Sequence, residues 1–231
     1  MIDLIFDLNH LRIILAIGML GYASFTDIVK REISDYVWIV FGGIAAVLLI
    51  FEPNFAESLT AIGISMIVVP IAIIIWRVGL FGGADAFAII VLAALVPQFT
   101  LTESTITPFT ILTNAILLSI SPLIINFIKN IIELAKGKNI FDGFEEPTRR
   151  RLMAMFLGYR AINPKFGFSI EKKVGNQKKL NLVFHHAENA EFCKTPNTWI
   201  TPGVPYMLFI TGGFLIQLLY GDVLFRFFES I

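Results

Sequence analysis

The chain has 231 residues, of which 56% are hydrophobic and only 16% are charged, and its 18 basic residues balance 18 acidic ones. Soluble domains carry about 25% charged residues, so the composition indicates a membrane protein and excludes an ordinary soluble domain. The zero net charge alone argues neither for nor against nucleic-acid binding. The single Cys193 excludes an intramolecular disulfide framework and any multi-cysteine zinc site.

Six apolar segments follow one another along the chain, each near the ~20 residues that cross a hydrocarbon core. None alternates with period two, and backbone polar groups in lipid must be bonded internally, so we expect helices. The predicted fold is an all-α membrane protein with six transmembrane helices, and Ser34 and Asp35 are predicted N-caps of the second. The segments are Leu11–Asp27, Tyr36–Phe51, Leu59–Trp76, Gly79–Val96, Phe109–Phe127 and Pro202–Tyr220.

A polar stretch separates the fifth and sixth segments. Short alternating pieces such as Lys179–Phe184 are typical of strands. We therefore predict a small cytosolic α+β or β-rich lobe over residues 129–199. Helices one to five would occupy residues 1–128, and helix six with the C-terminus would occupy residues 200–231.

Basic residues are distributed very unevenly between the two sides that six spans define. Sixteen of the eighteen lysines and arginines, all except Arg12 and Arg226, fall in the loops at 27–35 and 77–85 or in the polar stretch. The loops at 52–58 and 98–108 contain none. Since cytoplasmic loops are enriched in Lys and Arg, we predict a multi-pass protein with its N-terminus outside and these basic regions in the cytoplasm.

Two aspartates lie on that predicted cytoplasmic face, where apolar segments end or begin. Asp27 closes the first segment, and Asp85 follows Gly82, Gly83 and Ala84 at the mouth of the fourth. Two carboxyl groups held close together share a proton and can activate water as general acid and base. The glycines would let a substrate backbone approach.

Each aspartate also has a structural interpretation. Asp85 suits the N-cap of the fourth helix, and Asp27 suits pairing with Lys30 or Arg31 one turn later. Asp35 and Glu32 are alternative partners for Asp85.

A second polar cluster has some features of a metal site, namely His185 and His186 followed by Glu188, Glu191 and Cys193. Adjacent residues on a strand point to opposite faces, so the two histidines would not converge. We expect no metal and no cofactor, and a solvated lobe surface in this region.

Charge clusters in the polar stretch suggest partners. Arg149-Arg150-Arg151 would face anionic lipid of the bilayer rather than nucleic acid. The acidic residues Asp142, Glu145 and Glu146 form a solvated turn or, on a second hypothesis, receive a basic segment of a substrate.

The two aspartate motifs resemble those of a known family. The run from Thr26 to Tyr36 resembles the first aspartate motif of the type IV prepilin and preflagellin peptidases, and Gly82-Gly83-Ala84-Asp85 resembles their GxGD motif. Ala84 departs from the pattern, which has glycine there. The resemblance implies six helices with a cytosolic lobe before the last, and an aspartic endopeptidase with Asp27 and Asp85 as its catalytic pair. It further implies that short basic leaders are removed from preflagellin or prepilin-like precursors by a cut after glycine.

Three other functions compete with this interpretation. A presenilin-like protease would cut within a membrane helix, a proton-coupled transporter would carry polar residues along several spans, and a scaffold protein would tolerate loss of both aspartates. The nearly charge-free span interiors argue against the transporter. The sequence makes no prediction of oligomeric state.

Overall fold

The computed structural model describes residues 2–97, 107–174, 177–182 and 190–229. Helices dominate these residues, and the described strands all lie between Tyr159 and Pro202. In chain order the elements are α1 (Ile2–Lys30), α2 (Tyr36–Ile50), α3 (Phe55–Ser65), α4 (Val68–Val78), α5 (Gly83–Leu95), α6 (Thr107–Leu118), α7 (Ser121–Ala135), α8 (Thr148–Leu157), β1 (Tyr159–Ala161), β2 (Gly167–Ser169), β3 (Glu171–Val174), β4 (Gln177–Leu180), β5 (Thr198–Pro202), α9 (Tyr206–Tyr220) and α10 (Val223–Glu229).

The chain forms two compact units. Unit 1 consists of Met1–Leu118 and Pro205–Ile231, and unit 2 consists of Ser119–Val204. The described part of unit 1 is helical, whereas that of unit 2 contains α7, α8 and the five described strands. The three-part division at residues 128 and 199 expected from the sequence stays a prediction about membrane and lobe boundaries.

Each predicted apolar segment contains a helix, but that of the fourth segment begins at Gly83 rather than Gly79, and that of the sixth begins at Tyr206 because Pro202 belongs to β5. The helices also differ in length. Three helical stretches are long and apolar enough to cross a membrane, namely Leu8–Lys30, Phe55–Val78 and Pro108–Ala135, and α9 with α10 adds a fourth if their 46° bend lies within one span. At 1.5 Å per residue, the 15 residues of α2 and the 13 of α5 span only about 22 and 20 Å. The protein is a helical membrane protein, and the count of six crossings stays a prediction.

The outer surface of unit 1 is strongly apolar. Ile14, Phe25, Ile39 and Ile74 are each more than 60% exposed, and they lie on three different helical spans. Soluble monomers rarely expose contiguous apolar surface on this scale. Lipid contact explains these residues without any further partner.

The start of α2 differs from the sequence prediction in one respect. Asp35 does occupy the N-cap position, but its backbone is helical (φ −58°, ψ −25°) and its side chain makes no capping hydrogen bond. The backbone carbonyls of Ser34 and Asp35 instead accept hydrogen bonds from Val37 and Trp38, at 3.0 and 3.1 Å. N-cap side chains bond well from extended backbone, which Asp35 does not have.

Helix α5 is the central element of unit 1. Ala88, Ile89, Leu92 and Leu95 are fully buried, and α1, α2, α4 and α9 are among the helices that pack around it. A helix that is apolar on all sides belongs in a core, and α5 has this composition. Asp85 therefore stands in the first turn of the most enclosed helix.

Unit 2 is built around a small aromatic core. Strand β5 lies between β1 and β2 in an antiparallel sheet, and β3 pairs with β4 as a hairpin. Trp199 is fully buried and its Nε1 donates to the carbonyl of Ile140 at 2.8 Å. The strand predicted at 179–184 ends at Leu180, Asn181 and Leu182 lie beyond it, and 183–184 lie outside the described residues.

Candidate active site

Asp27 lies in the last turn of α1, which continues to Lys30 rather than ending at the aspartate. The side chain is half-buried, and its Oδ2 accepts a hydrogen bond from the backbone N–H of Met207 at 3.3 Å. Met207 is the second residue of α9. The first N–H groups of a helix lack intrahelical partners, and the positive end of the helix dipole favours an anion there. The start of α9 is therefore a suitable place for the carboxylate of Asp27.

Asp85 is the third residue of α5 and is only 7% exposed. Its Oδ2 accepts the backbone N–H of Gly82 at 2.9 Å. Gly82, with extended backbone, is the N-cap, so the interpretation of Asp85 as the N-cap itself is wrong by three positions. An acid at this third position reaches back to the N-cap N–H as in a capping box. The bond holds the carboxyl group in one orientation at the helix start.

The two aspartates occupy the same end of unit 1. The C-terminal end of α1 carries Asp27, the N-terminal end of α5 carries Asp85, and these helices are packed together. Asp35 and Glu32, the alternative partners, are both exposed to the surroundings. The arrangement provides two carboxyl groups that can handle one proton and one water molecule between them.

The pairing of Asp27 with a basic residue has partial support. Arg31 follows directly on α1 with a left-handed backbone (φ 59°), and its positive charge interacts with Asp27. Asp27 thus has a basic neighbour as well as an acidic one.

The residues before Asp85 have ordinary backbone geometry. Gly82 has φ −81° and ψ 168°, which other residues adopt, and a Cβ there would lie 3.5 Å from Asp85 Oδ2, an ordinary contact. Gly83 and Ala84 are the first two residues of α5, and all three are half-buried. Because Ala84 is helical, alanine in place of the motif's glycine fits without strain.

Sequence reasoning did not identify the first turn of α9 as part of this site. Ser24 and Thr211 share a hydrogen bond of 2.6 Å, and both hydroxyl oxygens lie within hydrogen-bonding distance of the carbonyl of Met207, at 3.2 and 2.9 Å. One hydroxyl therefore donates to the other, and the second donates to the carbonyl. The ring of Tyr206 lies 5.4 Å from that of Phe81, the residue before Gly82. The start of α9 therefore contacts both aspartate-bearing segments. No motif marks Thr211 in the sequence, since a single threonine in an apolar helix is common.

A buried arginine lies at the far end of the same helices. Arg12 is 3% exposed, and its guanidinium donates to the carbonyl of Leu95 and to Glu52, each at 2.9 Å. In the sequence it stood out only as an exception to the charge asymmetry. About 22 Å of helix separates Arg12 from Asp27, so this ion pair is remote from the aspartates.

The other polar clusters are not brought to the aspartates by described contacts. Glu146 is buried and accepts hydrogen bonds from Arg150 at 2.6 Å and from the N–H of Leu180 at 2.7 Å. Both of its carboxylate oxygens are therefore bonded within unit 2 and are not open to a basic segment of a substrate. The described residues include no metal-ligand cluster. His185, His186 and Glu188 lie outside them.

Two protein-family profiles match this chain. The profile of the type IV leader peptidase family matches residues 14–125, a range that contains both aspartates. A second profile, the archaeal peptidase A24 C-terminus type II, matches residues 162–223. The apolar helices and these two profile matches define the class of the protein, a membrane peptidase.

Relatives match along almost the whole chain. A preflagellin peptidase of Methanocaldococcus jannaschii is 28% identical, over 94% of this chain and 96% of its own. Preflagellin peptidases of Methanococcus maripaludis and Methanococcus voltae are 28% and 27% identical, over 91% and 90% of this chain and 96% and 94% of their own. The chain is thus similar to type IV leader peptidases along almost its whole length, as the resemblance of its aspartate motifs predicted.

Proposed function

We propose that the protein is an aspartic endopeptidase in which Asp27 and Asp85 form the catalytic pair. The observation that carries the proposal is that both carboxyl groups lie at the same end of the packed helices α1 and α5, next to the start of α9. Their location inside the family match at 14–125 supports it.

The proposed reaction is hydrolysis of a peptide bond by an activated water molecule. One carboxylate removes a proton from water as the water oxygen attacks the scissile carbonyl carbon, and the other, protonated, carboxyl group donates its proton to the carbonyl oxygen. As the resulting tetrahedral diol collapses, the first carboxyl group gives the proton it took from water to the leaving nitrogen, the second carboxylate takes a proton from a diol hydroxyl, and the C–N bond breaks. Each carboxyl group then has its starting protonation state, and the pair needs no covalent intermediate and no cofactor.

Neighbouring backbone groups would hold this pair in place. The N–H groups of Met207 and Gly82 each bond one carboxyl group and leave its other oxygen for water or substrate. Gly82, Gly83 and Ala84, which have small side chains and are half-buried, would line the approach of an extended substrate.

The proposed substrates are preflagellin precursors, the proteins after which the three relatives are named. The enzyme would remove a short basic leader at the cytoplasmic membrane face, and prepilin-like precursors are the alternative substrates. In this arrangement six crossings, by α1, α2, α3–α4, α5, α6–α7 and α9, put both aspartates and the lobe on the cytoplasmic side.

The test is cleavage of a preflagellin precursor by membrane vesicles containing the full-length protein, followed by N-terminal sequencing of the product. Asp27→Asn and Asp85→Asn should each lower the cleavage rate by about 10²- to 10⁴-fold, the usual contribution of a general acid or base. Inverted vesicles, which present the cytoplasmic face, should cleave added precursor, and right-side-out vesicles should not.

Asp35→Asn is the matched control, since Asp35 is exposed and lies in the same predicted cytoplasmic loop. Its cleavage rate should equal that of the unmodified protein. Cleavage by Asp27→Asn or Asp85→Asn at the unmodified rate would overturn the catalytic pair. A cut within the hydrophobic helix of the precursor, rather than after a glycine before it, would indicate a presenilin-like activity.

A further inference from the structure

Helix α8 in unit 2 has an exposed apolar face that the fold of the unit does not cover. Leu152, Met153 and Phe156 are 50%, 54% and 36% exposed, and with the exposed Arg149 they follow the i, i+3, i+4, i+7 spacing of one helix face. The opposite face already supplies the core, because Ala154 and Met155 are buried there. Helix α8 is therefore apolar on two faces, and only one is used inside the unit.

All the charged residues of α8 are basic. Its ten residues include Arg149, Arg150 and Arg151 in the first turn and no acidic residue. Arg150 pairs with Glu146, whereas Arg149 is exposed at the head of the apolar face. A short basic amphipathic helix of this kind suits the boundary between lipid headgroups and acyl chains, where cations meet anionic lipid and apolar side chains meet hydrocarbon.

The neighbour of α8 indicates which surface covers this face. Asn126 and Asn130, on α7, donate to the carbonyls of Phe156 and Met155 at 3.2 and 2.9 Å. The rings of Phe127 and Phe156 are stacked with centroids 4.3 Å apart. The C-terminal end of α8 is thus bound side by side to α7.

Helix α7 itself belongs to a membrane-crossing candidate. It forms the second half of the apolar stretch Pro108–Ala135. Its residues Ile124, Ile128 and Ile132 are about half exposed, as expected for side chains that contact lipid. The C-terminal end of α8 is therefore packed against a helix that carries lipid-contacting side chains.

We propose that the face of α8 formed by Arg149, Leu152, Met153 and Phe156 docks into the headgroup boundary of an anionic bilayer. The arginine meets lipid phosphate, Leu152 and Met153 enter the outer acyl region, and Phe156, stacked on Phe127, borders the contact. Unit 2 is then held on the membrane by a second contact besides α7. This inference is independent of the proposed catalytic pair.

The test uses the full-length protein in nanodiscs that hold one copy each, on a Cys193→Ser background. Met153→Cys carries an environment-sensitive fluorophore, and Lys172→Cys, exposed on β3 of the same unit, is the matched control. In discs of phosphatidylcholine with phosphatidylglycerol, a quencher attached to the lipid chains should quench the Met153 label several-fold more than the control. A water-soluble quencher should show the reverse order. Omitting phosphatidylglycerol should weaken the lipid quenching of the Met153 label.

Equal quenching of both labels by the water-soluble reagent would overturn the proposal. Protection of the Met153 label from both quenchers would also overturn it, because the face would then be covered by protein. Leu152→Cys gives the same measurement on an independent variant should Met153→Cys fail to fold.

Discussion

The two ends of α5 each carry a buried charged contact, and the contacts are of opposite kinds. At the last residue, the Leu95 carbonyl accepts from Arg12, whose positive charge is matched by Glu52 at 2.9 Å. In the first turn, Asp85 shares its end of the helix pair with Asp27, a second acid, and forms no ion pair within the described part of the chain. A cation at a helix C-terminus matched by a carboxylate supports folding. Two acids at one end do not, and this is why we propose a catalytic role for them.

The two ends of α5 should therefore respond differently to substitution. Changes at the Arg12 end should alter stability and leave cleavage by the folded protein intact. Changes at the aspartate end should alter cleavage and leave stability nearly intact.

The largest effect on stability is expected for Arg12→Met. Removing one partner of a buried pair leaves the other carboxylate and the Leu95 carbonyl without their donor, which costs about 3–5 kcal/mol. The thermal unfolding midpoint in detergent should fall markedly, while the cleavage rate per folded molecule below that temperature stays near that of the unmodified protein.

The double variant Arg12→Met with Glu52→Gln is the control for unpaired charge. It should recover part of the lost stability, because no buried ion is left without a partner. An unchanged unfolding midpoint for Arg12→Met would show that the contact is not structural.

A smaller effect is expected for Thr211→Val, which removes the hydroxyl that bonds Ser24 and the Met207 carbonyl. Loss of one such hydrogen bond costs about 1 kcal/mol of stability. Because Met207 also bonds Asp27, kcat should fall several-fold while KM changes little.

Thr60→Val provides the comparison, since Thr60 makes the same kind of bond to its own helix, to the Ala56 carbonyl at 2.8 Å. It should leave kcat unchanged. If both variants lower kcat equally, Thr211 has no special relation to the aspartate end.

The smallest effect is expected for Gly82→Ala. Its φ is accessible to alanine and the new Cβ would make only an ordinary contact, so the unfolding midpoint should shift by less than that of Thr211→Val. If Gly82 lines the substrate approach, KM should rise a few-fold, as initial rates over a range of precursor concentrations would show. An unchanged KM would remove Gly82 from the substrate path.

The sequence predicts where the helices lie better than it predicts the hydrogen bonds that hold the two aspartates. Apolar run lengths locate all six helical segments, because burial and backbone bonding in lipid leave few alternatives to a helix. The capping at Asp35 and the position of Asp85 within α5 depend on local backbone angles, which composition does not determine. The contact of Met207 with Asp27 joins residues 180 positions apart, and no local pattern records such a pairing.

The contact at Arg12 also sets an order of assembly. Its partners Glu52 and Leu95 lie 40 and 83 positions later in the chain. During synthesis Arg12 is therefore made well before either of them, and the contact with Leu95 becomes possible only when α5 is complete. When this contact forms, both aspartate-bearing helices have been synthesised, and they are joined at the ends opposite the aspartates.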